Sequence, residues 1–577
     1  MIHKDEVILK HNNEWLHFAN PHLIISAAKV DDIHSALTEM ENLVNTKGWH
    51  AVGFVSYEAA PAFDKALRVI PAPAGDFPLL WFGLYPTPET CHGIKDLGNL
   101  PELNWQPSVE REVYNAAIEK VKENIAQGKT YQVNYTMRLS SAFEIEAWDL
   151  FTHLAQCQNK YAAYIDTGRY AICSASPELF FTLDGDTITG RPMKGTVERG
   201  RTTLEDREKS AWLHRSIKNR AENVMIVDMI RNDIGRIAEI GSVHVPELFT
   251  VEKYPTLFQM TSTVQAKTKA SVAEIFNALF PCASITGAPK VSTMNIIAEL
   301  ETTPRKIYTG SIGFIVPNRR AQFNVAIRTA LIDRENKTAE YGVGGGIVWD
   351  SVSADEYGEA LLKARVLTES PHEFELIETL LWTPEEGYFL REKHIARIQD
   401  SSDYFGFPFS REGFEDCLNR VTKNVNFPQR VRILLNKNGE FKTESRDFYS
   451  QEKVFLICLA ENPVNSKNVF LFHKTTQRDM YPSVQGYEDV LLHNENGELT
   501  EFTVGNLVVE INSELFTPLI SCGLLAGTFR SHLLETGQIK ERVIYKNELE
   551  QCTKIFLVNS VRKWIKAEIG YQHCEPR

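Results

Sequence analysis

The chain has 577 residues, of which 43% are hydrophobic and 24% charged, and a formal net charge of −13. That length is too great for one hydrophobic core and predicts two or three domains. The acidic balance argues against nucleic acid as a partner, because non-specific binding depends on clustered Lys and Arg. No apolar run approaches the roughly 20 residues of a membrane span, and the first residues lack a signal-peptide core. The nine cysteines form no CxxC pair, so we expect free thiols, a cytoplasmic location and no membrane.

The first part of the chain mixes strands and helices. Residues Ala51–Glu58 read as a strand running into a turn. Apolar residues at helical spacing predict an amphipathic helix over 110–127, followed by a strand from Thr130 to Tyr135. A second helix is expected from about Leu204 through Arg231. The apolar stripe of the first helix comprises Val113, Ala117, Val121 and Ile125.

The stretch Arg191–Thr196 follows a predicted strand–turn–strand and places a lysine between a proline and a glycine. A lysine in a partly desolvated pocket can lose its proton and attack carbon, so Lys194 is a candidate nucleophile. Taken alone, such a lysine is more often a surface residue. Glu178, beside a proline in an apolar strand, is a candidate general acid with a raised pKa, or else an edge-strand carboxylate.

Four further stretches follow along the chain, and two of them offer groups that could bind an anion. Pro281–Lys290 is a small-residue loop leading into a helix, which offers backbone N–H groups to an anion. Tyr308–Gly313 and Phe323–Thr329 look like adjacent strands. Arg328 on the second could clamp a carboxylate or form a structural ion pair. Gly342–Val348 is glycine-rich but has no Walker lysine, which excludes a nucleotide P-loop.

Three glutamates are candidates for one hard-cation site. The predicted helix Ala354–Thr368 carries Glu356, Glu359 and Lys363 on one face. With Glu222, the two helical glutamates could hold Mg²⁺, which prefers a few carboxylates together with substrate oxygens and water. The alternative is a solvated acidic face.

The composition of the sequence changes after Thr368. Residues 369–373 are polar, contain a proline and read as a linker, so we predict one domain over 1–368 and a smaller α/β domain over 374–577. In the latter, Val469–Arg478 reads as a strand that carries Lys474 near its end. Alone, Lys474 would be read as a surface residue.

Several motifs of the first region, taken together and in order, resemble the chorismate-utilising enzymes. This family includes the anthranilate, aminodeoxychorismate, isochorismate and salicylate synthases. The resemblance covers roughly residues 50–368 and implies an α/β (α+β) fold of stacked antiparallel sheets flanked by helices. The motifs are Ser176-Pro177-Glu178, Pro192-Met193-Lys194-Gly195-Thr196, Glu222 with Arg231-Asn232-Asp233, Ile285–Lys290, and Gly344–Val348 through Glu359–Lys363.

Two positions sort the subfamilies. Isochorismate and salicylate synthases carry a water-activating lysine where this chain has Gln132, and anthranilate synthases usually carry alanine where it has Lys194. The resemblance therefore implies amination of chorismate: Lys194 attacks ring carbon C2, Glu178 protonates the departing C4 hydroxyl, and ammonia then replaces the lysine. It implies Mg²⁺ on Glu222, Glu356 and Glu359. It also implies substrate contacts from Gln132, Thr286, Tyr308, Arg328, Gly345 and Lys363.

Ammonia needs a source. No cysteine in the chain has the tight glycine-flanked setting of a glutamine amidotransferase nucleophile. The ammonia is therefore expected from a separate glutamine amidotransferase subunit, or from free ammonia in solution.

The second region resembles the class IV pyridoxal-phosphate enzymes over about 374–577. The supporting residues include Ile377-Glu378-Thr379-Leu380 and His394-Ile395-Ala396-Arg397. The resemblance implies Lys474 as the Schiff-base lysine and proton shuttle, Glu501 opposite the pyridine nitrogen, and a possible homodimer. Its implied phosphate-binding positions are Arg397, Val504, Gly505 and Thr528. The family usually has some 20–25 further residues before the first motif, which shape the substrate mouth.

Together the two resemblances imply a bifunctional enzyme that makes 4-amino-4-deoxychorismate and then eliminates pyruvate to give 4-aminobenzoate. Three alternatives stay open at this point. The first region could be an anthranilate synthase, and the second could be a non-catalytic docking module or an aminotransferase.

Overall fold

A computed structural model of the chain describes residues 3–73, 75–91, 94, 100–101, 103–157, 160–368, 373–449 and 453–570. The chain forms two compact units. One comprises Met1–Glu198 and Ser210–Pro371, and the other comprises Arg199–Lys209 and His372–Arg577. Of the predicted linker, only Glu373 is among the described residues. None of the described helices is both long and apolar enough to span a membrane.

The first unit contains two large sheets, each with ten strands among the described residues. Their paired strands are antiparallel throughout, as in Gln132–Ala142 against Thr338–Ile347. In spatial order the first sheet comprises Gly287–Ala288, Gln132–Ala142, Thr338–Ile347, Thr329–Asp333, Tyr170–Ser176, Tyr161–Asp166, Val7–His11, Glu14–Phe18 and Glu89–Cys91, with Gln106–Pro107 beside Gln132–Ala142. The second comprises Met193–Glu198, Leu257–Lys267, Thr187–Arg191, Leu179–Asp184, Arg320–Val325, Ser311–Val316, His50–Val55, Leu80–Tyr85 and Leu23–Ala27, with His244–Lys253 beside Leu257–Lys267.

The two sheets stack face to face and helices cover their outer faces. Val7 and Ile172 of the first sheet share one apolar core with Phe54 and Phe314 of the second. Separate cores join each sheet to its own helices. This arrangement confirms the predicted fold of stacked antiparallel sheets flanked by helices. The helices of this unit are Ile33–Lys47, Ala60–Phe63, Arg111–Ala126, Ala147–Cys157, Ile217–Gly235, Val272–Leu279, Lys290–Leu300 and Ser353–Ala364. The helix Thr203–Arg215 begins in the second unit, which includes residues 199–209.

Two helix predictions need correction. The predicted helix Leu204–Arg231 is two helices, because Ser216 is extended and its hydroxyl accepts a hydrogen bond from the Asn219 N–H, which starts a new helix. On Arg111–Ala126 the buried face is formed by Tyr114, Ala117, Ile118 and Val121. Ala117 and Val121 of the predicted stripe are buried and Ile125 packs against the same core, so the prediction is wrong only for Val113, which is 51% exposed.

The second unit combines a small sheet with a larger one. In the larger sheet, Leu499–Phe502 also pairs with Asn506–Ile511, so six of its strands close into a ring. The small sheet comprises Gly387–Tyr388, Leu376–Thr383, Gln429–Leu435 and Phe441–Asp447. The larger comprises Leu499–Phe502, Asp489–His493, Phe455–Leu459, Lys563–Ile569, Lys554–Asn559, Asn506–Ile511, Glu514–Thr517 and Lys540–Glu541. The helices are Arg391–Phe405, Arg411–Val421 and Thr528–Glu535.

The predicted strand over Val469–Arg478 is wrong. The segment opens with a 3-10 helix, Val469–Leu471, because the Asn468 side chain accepts the Phe470 N–H at 3.0 Å and draws the backbone away from a ladder. Lys474 follows in an extended stretch, where its carbonyl accepts the Ile377 N–H at 2.8 Å.

Candidate active sites

Lys194 lies inside the first unit, on the strand Met193–Glu198, where its carbonyl accepts a hydrogen bond from the Asn223 side chain at 3.2 Å. Burial lowers the pKa of the Lys194 amine, and the nearby Lys363 lowers it further. Glu222, Glu359 and Glu178 act in the opposite direction. The amine is therefore set among these carboxylates rather than in bulk solvent.

Glycine at position 346 makes room for the amine. A Cβ built on Gly346 would lie 2.8 Å from the Lys194 Nζ and 2.4 Å from the Gln132 Nε2. Gln132 is fully buried, and both polar atoms of its amide lack a hydrogen-bond partner among the described residues. An unpaired buried amide calls for a ligand, because burial without a partner is unfavourable.

Glu178 follows the strand Tyr170–Ser176 and is buried. Burial raises the pKa of its carboxyl to about 7, although hydrogen bonds from the Ser284 hydroxyl and the Met193 N–H, and the charge of Lys194, oppose the shift. Its Oε1 has no hydrogen-bond partner among the described residues. A carboxyl with this pKa can be protonated near neutral pH and can donate its proton.

The three candidate metal ligands lie near Lys194 but do not converge. Within the described part of the chain, no three His, Cys, Asp or Glu side chains are placed to hold a metal ion. The Glu359 Oε1 instead forms an ion pair with the Lys363 Nζ at 2.9 Å. The charge of Lys363 lowers the pKa of Glu359. The pKa of Glu356 is raised by burial and by Glu359.

The predicted carboxylate-binding residues come from a helix, a strand and loops. Lys363 Nζ donates to the Gly344 carbonyl at 2.9 Å, and a Cβ on Gly345 would lie 3.5 Å from that Nζ and 3.3 Å from the Glu356 Oε2. Thr286 is fully buried and its hydroxyl donates to the Cys282 carbonyl at 3.2 Å. Lys363, Gly345 and Glu356 are thus brought together, while the Thr286 hydroxyl is engaged by its own loop.

Arg328 and Tyr308 differ from their expected settings. Arg328 does not lie on a strand: it has a φ of 50° and sits where the chain crosses from Arg320–Val325 in one sheet to Thr329–Asp333 in the other. The Tyr308 ring is buried with the Arg138 guanidinium 5.0 Å from its centre, and burial raises the pKa of its hydroxyl to about 12.

In the second unit, Glu378 joins the two motif residues His394 and Arg397. The Arg397 Nε and NH2 donate to the two Glu378 oxygens at 2.8 and 2.7 Å. His394 Nδ1 lies 2.6 Å from the Glu378 Oε2, and its Nε2 lies 3.3 Å from the Thr528 hydroxyl. Burial lowers the pKa of His394, so a neutral ring donating to Glu378 and accepting from Thr528 satisfies all three groups.

Lys474 is close to this cluster. Burial lowers the pKa of its amine to about 8, with further lowering by Arg397, Arg478 and Arg430, while Glu378 opposes the shift. With this pKa about a tenth of the amine is neutral at pH 7, and the neutral fraction rises as the pH approaches 8.

Glu501 is buried on the strand Leu499–Phe502. The Tyr481 hydroxyl donates to its Oε1 at 3.0 Å and the Asn506 side chain donates to its Oε2 at 3.2 Å. Burial raises the pKa of Glu501 to about 8, which Arg478 partly offsets. Arg478 also lowers the pKa of Lys474, so the guanidinium group of Arg478 lies near both Glu501 and Lys474.

The remaining predicted phosphate-binding positions differ in how deeply they are buried. Thr528 is buried and opens the helix Thr528–Glu535. Gly505 pairs its carbonyl with the Phe502 N–H, and a Cβ there would meet Leu557 at 2.5 Å. Val504 is 57% exposed.

Comparison with known proteins places both units in families. Residues 94–369 match the model of the chorismate binding enzymes, and residues 375–568 match that of the class IV aminotransferases. The chain joins a chorismate-binding-enzyme domain to a class IV aminotransferase domain.

Relatives of the chorismate-binding domain include aminodeoxychorismate synthase component 1 of Bacillus subtilis, 41% identical over 254 residues that cover 44% of this chain and 54% of that protein. The Escherichia coli protein of the same name is 40% identical over 263 residues, 45% of this chain and 58% of that protein. The chain thus spans little more than half the length of these relatives. Among solved structures, anthranilate synthase component I from Streptococcus pneumoniae covers 64% of this chain and 91% of its own, with 23% identity and a TM-score of 0.52, which supports the fold.

The class IV domain contains the kinds of side chain that pyridoxal phosphate requires. It offers a buried amine with a lowered pKa at Lys474 and a buried carboxyl, Glu501, held by two side-chain donors. Both are the groups that this cofactor needs for attachment and for its ring nitrogen. In the chorismate-binding domain the three glutamates are donors of the kind that Mg²⁺ prefers, but among the described residues they do not converge and Glu359 is paired with Lys363.

Several functional candidates were missed in the sequence. Ser284, which donates to Glu178, lies in the Pro281–Lys290 loop. Tyr481 and Asn506, which hold Glu501, follow Lys474 without a spacing that marks them. Glu378 and His394 belong to the motifs quoted above, but no role was predicted for them. The spacing of His394 and Arg397 within one motif was the available signal for His394.

Proposed function

We propose that the chain is a bifunctional enzyme of 4-aminobenzoate formation for folate. The chorismate-binding domain would aminate chorismate to 4-amino-4-deoxychorismate, and the class IV domain would eliminate pyruvate from that product. The observation that carries the proposal is the placement of the Lys194 amine, with its lowered pKa, beside Gln132 and among Glu178, Glu222 and Glu359. An amine whose pKa is lowered by burial, placed near a carboxylic acid, is suited to a displacement on carbon.

The first reaction proceeds by two displacements on the ring. The Lys194 nitrogen forms a bond to C2, both ring double bonds shift by one position, and the C4 hydroxyl leaves as water with a proton from Glu178. Ammonia then bonds to C4, both double bonds shift back and the C2–nitrogen bond to Lys194 breaks. The proton that the bound ammonia loses returns to Glu178. Chorismate and ammonia are consumed, and 4-amino-4-deoxychorismate and water are formed.

The carboxylates of chorismate are balanced by cations and N–H groups of this domain. Lys363, the backbone around Thr286 and Gly345, Tyr308 and Arg328 are the proposed contacts. Mg²⁺ held by Glu222, Glu356 and Glu359 would supply a charge that fixes the ring carboxylate and polarises the ring.

In the class IV domain, pyridoxal phosphate supplies an electron sink when bound. Lys474 would attach the cofactor and move a proton during the elimination, for which its pKa of about 8 suits it. Glu501, fixed by Tyr481 and Asn506, would face the ring nitrogen. Arg397 and the backbone at Val504, Gly505 and Thr528 would bind the phosphate, and formation of the aromatic ring favours release of pyruvate.

Ammonia would come from a separate glutamine amidotransferase, and a homodimer would form through the class IV domain. The first idea is supported by the relatives' designation as component 1. Measurement of activity with glutamine, with and without added amidotransferase, and with ammonium salts tests it.

Product analysis tests the whole proposal. Chorismate, Mg²⁺, ammonium and pyridoxal phosphate should yield 4-aminobenzoate and pyruvate by mass spectrometry. The Lys474→Ala variant should accumulate 4-amino-4-deoxychorismate, and Lys194→Ala should form little of either product. Anthranilate as the main product of the wild-type chain would reject the proposal in favour of an anthranilate synthase. Exchange of amino groups with 2-oxo acids would instead identify the class IV domain as an aminotransferase.

A further inference from the structure

The small sheet of the class IV domain carries an unusual concentration of arginine on one face. Arg430 and Arg446 lie directly opposite each other on neighbouring strands, and Arg432 is two residues along from Arg430 on the same face. Like charges in directly opposed positions destabilise a strand pair. An arrangement of this kind is favourable when an anion lies between the guanidinium groups.

A fourth arginine comes from the larger sheet of the same domain. Arg562 lies in the turn before Lys563–Ile569, and the buried Ser560 hydroxyl of that turn donates to the Thr379 carbonyl at 3.4 Å. Thr379 is the strand partner of Arg432. The turn therefore brings Arg562 to the arginine face, where Arg562, Arg432 and Arg446 all lower the pKa of Arg430 together with burial.

The arginines have no carboxylate partner within the part of the chain that the structure describes. Arg430, Arg432, Arg446 and Arg562 form no ion pair with any described residue, although Glu444 is the strand partner of Arg432. The opposite face of this sheet is occupied by the apolar core with the helices Arg391–Phe405 and Arg411–Val421. The arginine face is thus the side of the sheet away from that core, and its Arg562 guanidinium lies 5.5 Å from the centre of the Phe455 ring.

One strand of this sheet also contacts the backbone of Lys474. The Ile377 N–H donates to the Lys474 carbonyl, and Thr379 and Leu381, two and four residues along the same strand, are the partners of Arg432 and Arg430. At roughly 3.3 Å per residue, the arginine backbones lie about 7–14 Å from that contact, within reach of a substrate and a long side chain. The charge of Arg430 also acts on the Lys474 amine.

We propose that Arg430, Arg432, Arg446 and Arg562 form a binding site for a carboxylate of the substrate that reacts at Lys474. The inference rests on the proposed function, in which that substrate carries two carboxylates. It assigns recognition of the dianion to the small sheet, and leaves the cofactor to the residues around Arg397, Thr528 and Glu501.

The test uses the full-length holoenzyme supplied with 4-amino-4-deoxychorismate. For Arg430→Ala and Arg446→Ala we expect KM to rise about 10- to 100-fold, the loss typical of one charged hydrogen-bond donor. The turnover number should change by less than about threefold. The pyridoxal phosphate concentration that restores half of the cofactor absorbance to the apoenzyme should also change by less than about threefold. Arg420→Ala, on the helix Arg411–Val421, is the matched control and should leave KM unchanged.

A second variant keeps the proposal testable if either alanine variant fails to fold. Arg446→Glu places a carboxylate opposite Arg430, so it should raise the thermal unfolding temperature while increasing KM at least as much as Arg446→Ala. An unchanged KM in Arg430→Ala and Arg446→Glu would overturn the proposal. So would a loss of cofactor affinity with KM unchanged, which would assign the arginines to the cofactor phosphate.

The dicarboxylate isophthalate separates this proposal from the proposed function. If the wild-type protein does not act on 4-amino-4-deoxychorismate, the lyase assignment fails. The arginine site still stands if isophthalate shifts the cofactor absorbance of the wild type and of Arg420→Ala but not of Arg430→Ala. It falls if all three proteins respond alike.

Discussion

Gly346 and Lys194 are joined by a steric relationship across the site: a Cβ on Gly346 would lie 2.8 Å from the lysine Nζ. Real Cβ atoms do not approach a nitrogen so closely, so the amine and this strand position compete for one volume. The second atom in that volume is the Gln132 Nε2, at 2.4 Å. Both are ends of flexible side chains, so a methyl group would displace the amine rather than the strand.

Gly346→Ala should therefore remove synthase activity without unfolding the domain. We expect a loss of about 100-fold or more, since a displacement of about 1 Å at a reacting group has effects of that order. Gly358→Ala is the matched control, because a Cβ at this helical glycine meets nothing within 4 Å. It should keep full activity and add up to about 1 kcal/mol of stability. Equal activity in the two variants would contradict the placement of Lys194.

The raised pKa of Glu178 predicts that the kcat/KM of the synthase reaction falls as the pH rises. Glu178 donates only when protonated, and its pKa is raised to about 7 by burial. The protonated fraction, and with it kcat/KM, should therefore decline as the pH rises through about 7, with free NH₃ held constant. Glu178→Gln should lower the rate by about 10²- to 10⁴-fold and flatten that decline. A residual activity with the same decline would assign the titration to another group.

The sequence predicted the chorismate-binding site better than its surroundings. Motifs placed Lys194, Glu178 and Glu359 together because each belongs to a short, ordered signature. Arg328 was assigned to a strand because its neighbours are apolar, and a crossover between two sheets leaves no local pattern. The pairing of Lys363 with Glu359 was visible in the i, i+4 spacing, yet the metal interpretation was preferred.

In the class IV domain, the sequence alone could not predict which residues act through tertiary contacts. Lys474 was placed on a strand because Val469–Phe472 is apolar, while the capping side chain of Asn468 determined the local structure. The opposition of Arg430 and Arg446 depends on strand register, which a single sequence fixes poorly.

Metal removal should separate the two activities. The proposed Mg²⁺ ligands are all in the chorismate-binding domain, so a chelator should stop the synthase reaction and leave cleavage of supplied 4-amino-4-deoxychorismate unchanged. Glu359→Gln should raise the Mg²⁺ concentration for half-maximal synthase activity at least about tenfold, the effect expected of a metal-site residue. Glu299→Gln, an exposed glutamate on the helix Lys290–Leu300, is the control. Synthase activity that survives exhaustive chelation would exclude the metal.

Glu378 should be decisive for the stability of the class IV domain. Its carboxylate is buried and accepts hydrogen bonds from Arg397 and His394. Glu378→Ala would leave a buried guanidinium group without its partner, and removing one member of a buried ion pair typically costs about 3–5 kcal/mol. Urea unfolding of the class IV domain, followed by its cofactor absorbance, measures the loss. The exposed Glu535, paired with Lys393, provides the control variant Glu535→Gln, which should leave the urea midpoint almost unchanged.

The same glutamate predicts an acid dependence of that stability. Arg397 and His394 hold the pKa of Glu378 below its ordinary value against the opposing effect of burial. A carboxyl with a depressed folded-state pKa contributes stability above the unfolded pKa, about 4.3, and loses it as the pH falls toward the folded value. The free energy of unfolding should therefore decline below about pH 4 in the wild type and less steeply in Glu378→Gln. Parallel pH curves for the two proteins would show that other carboxylates govern acid unfolding.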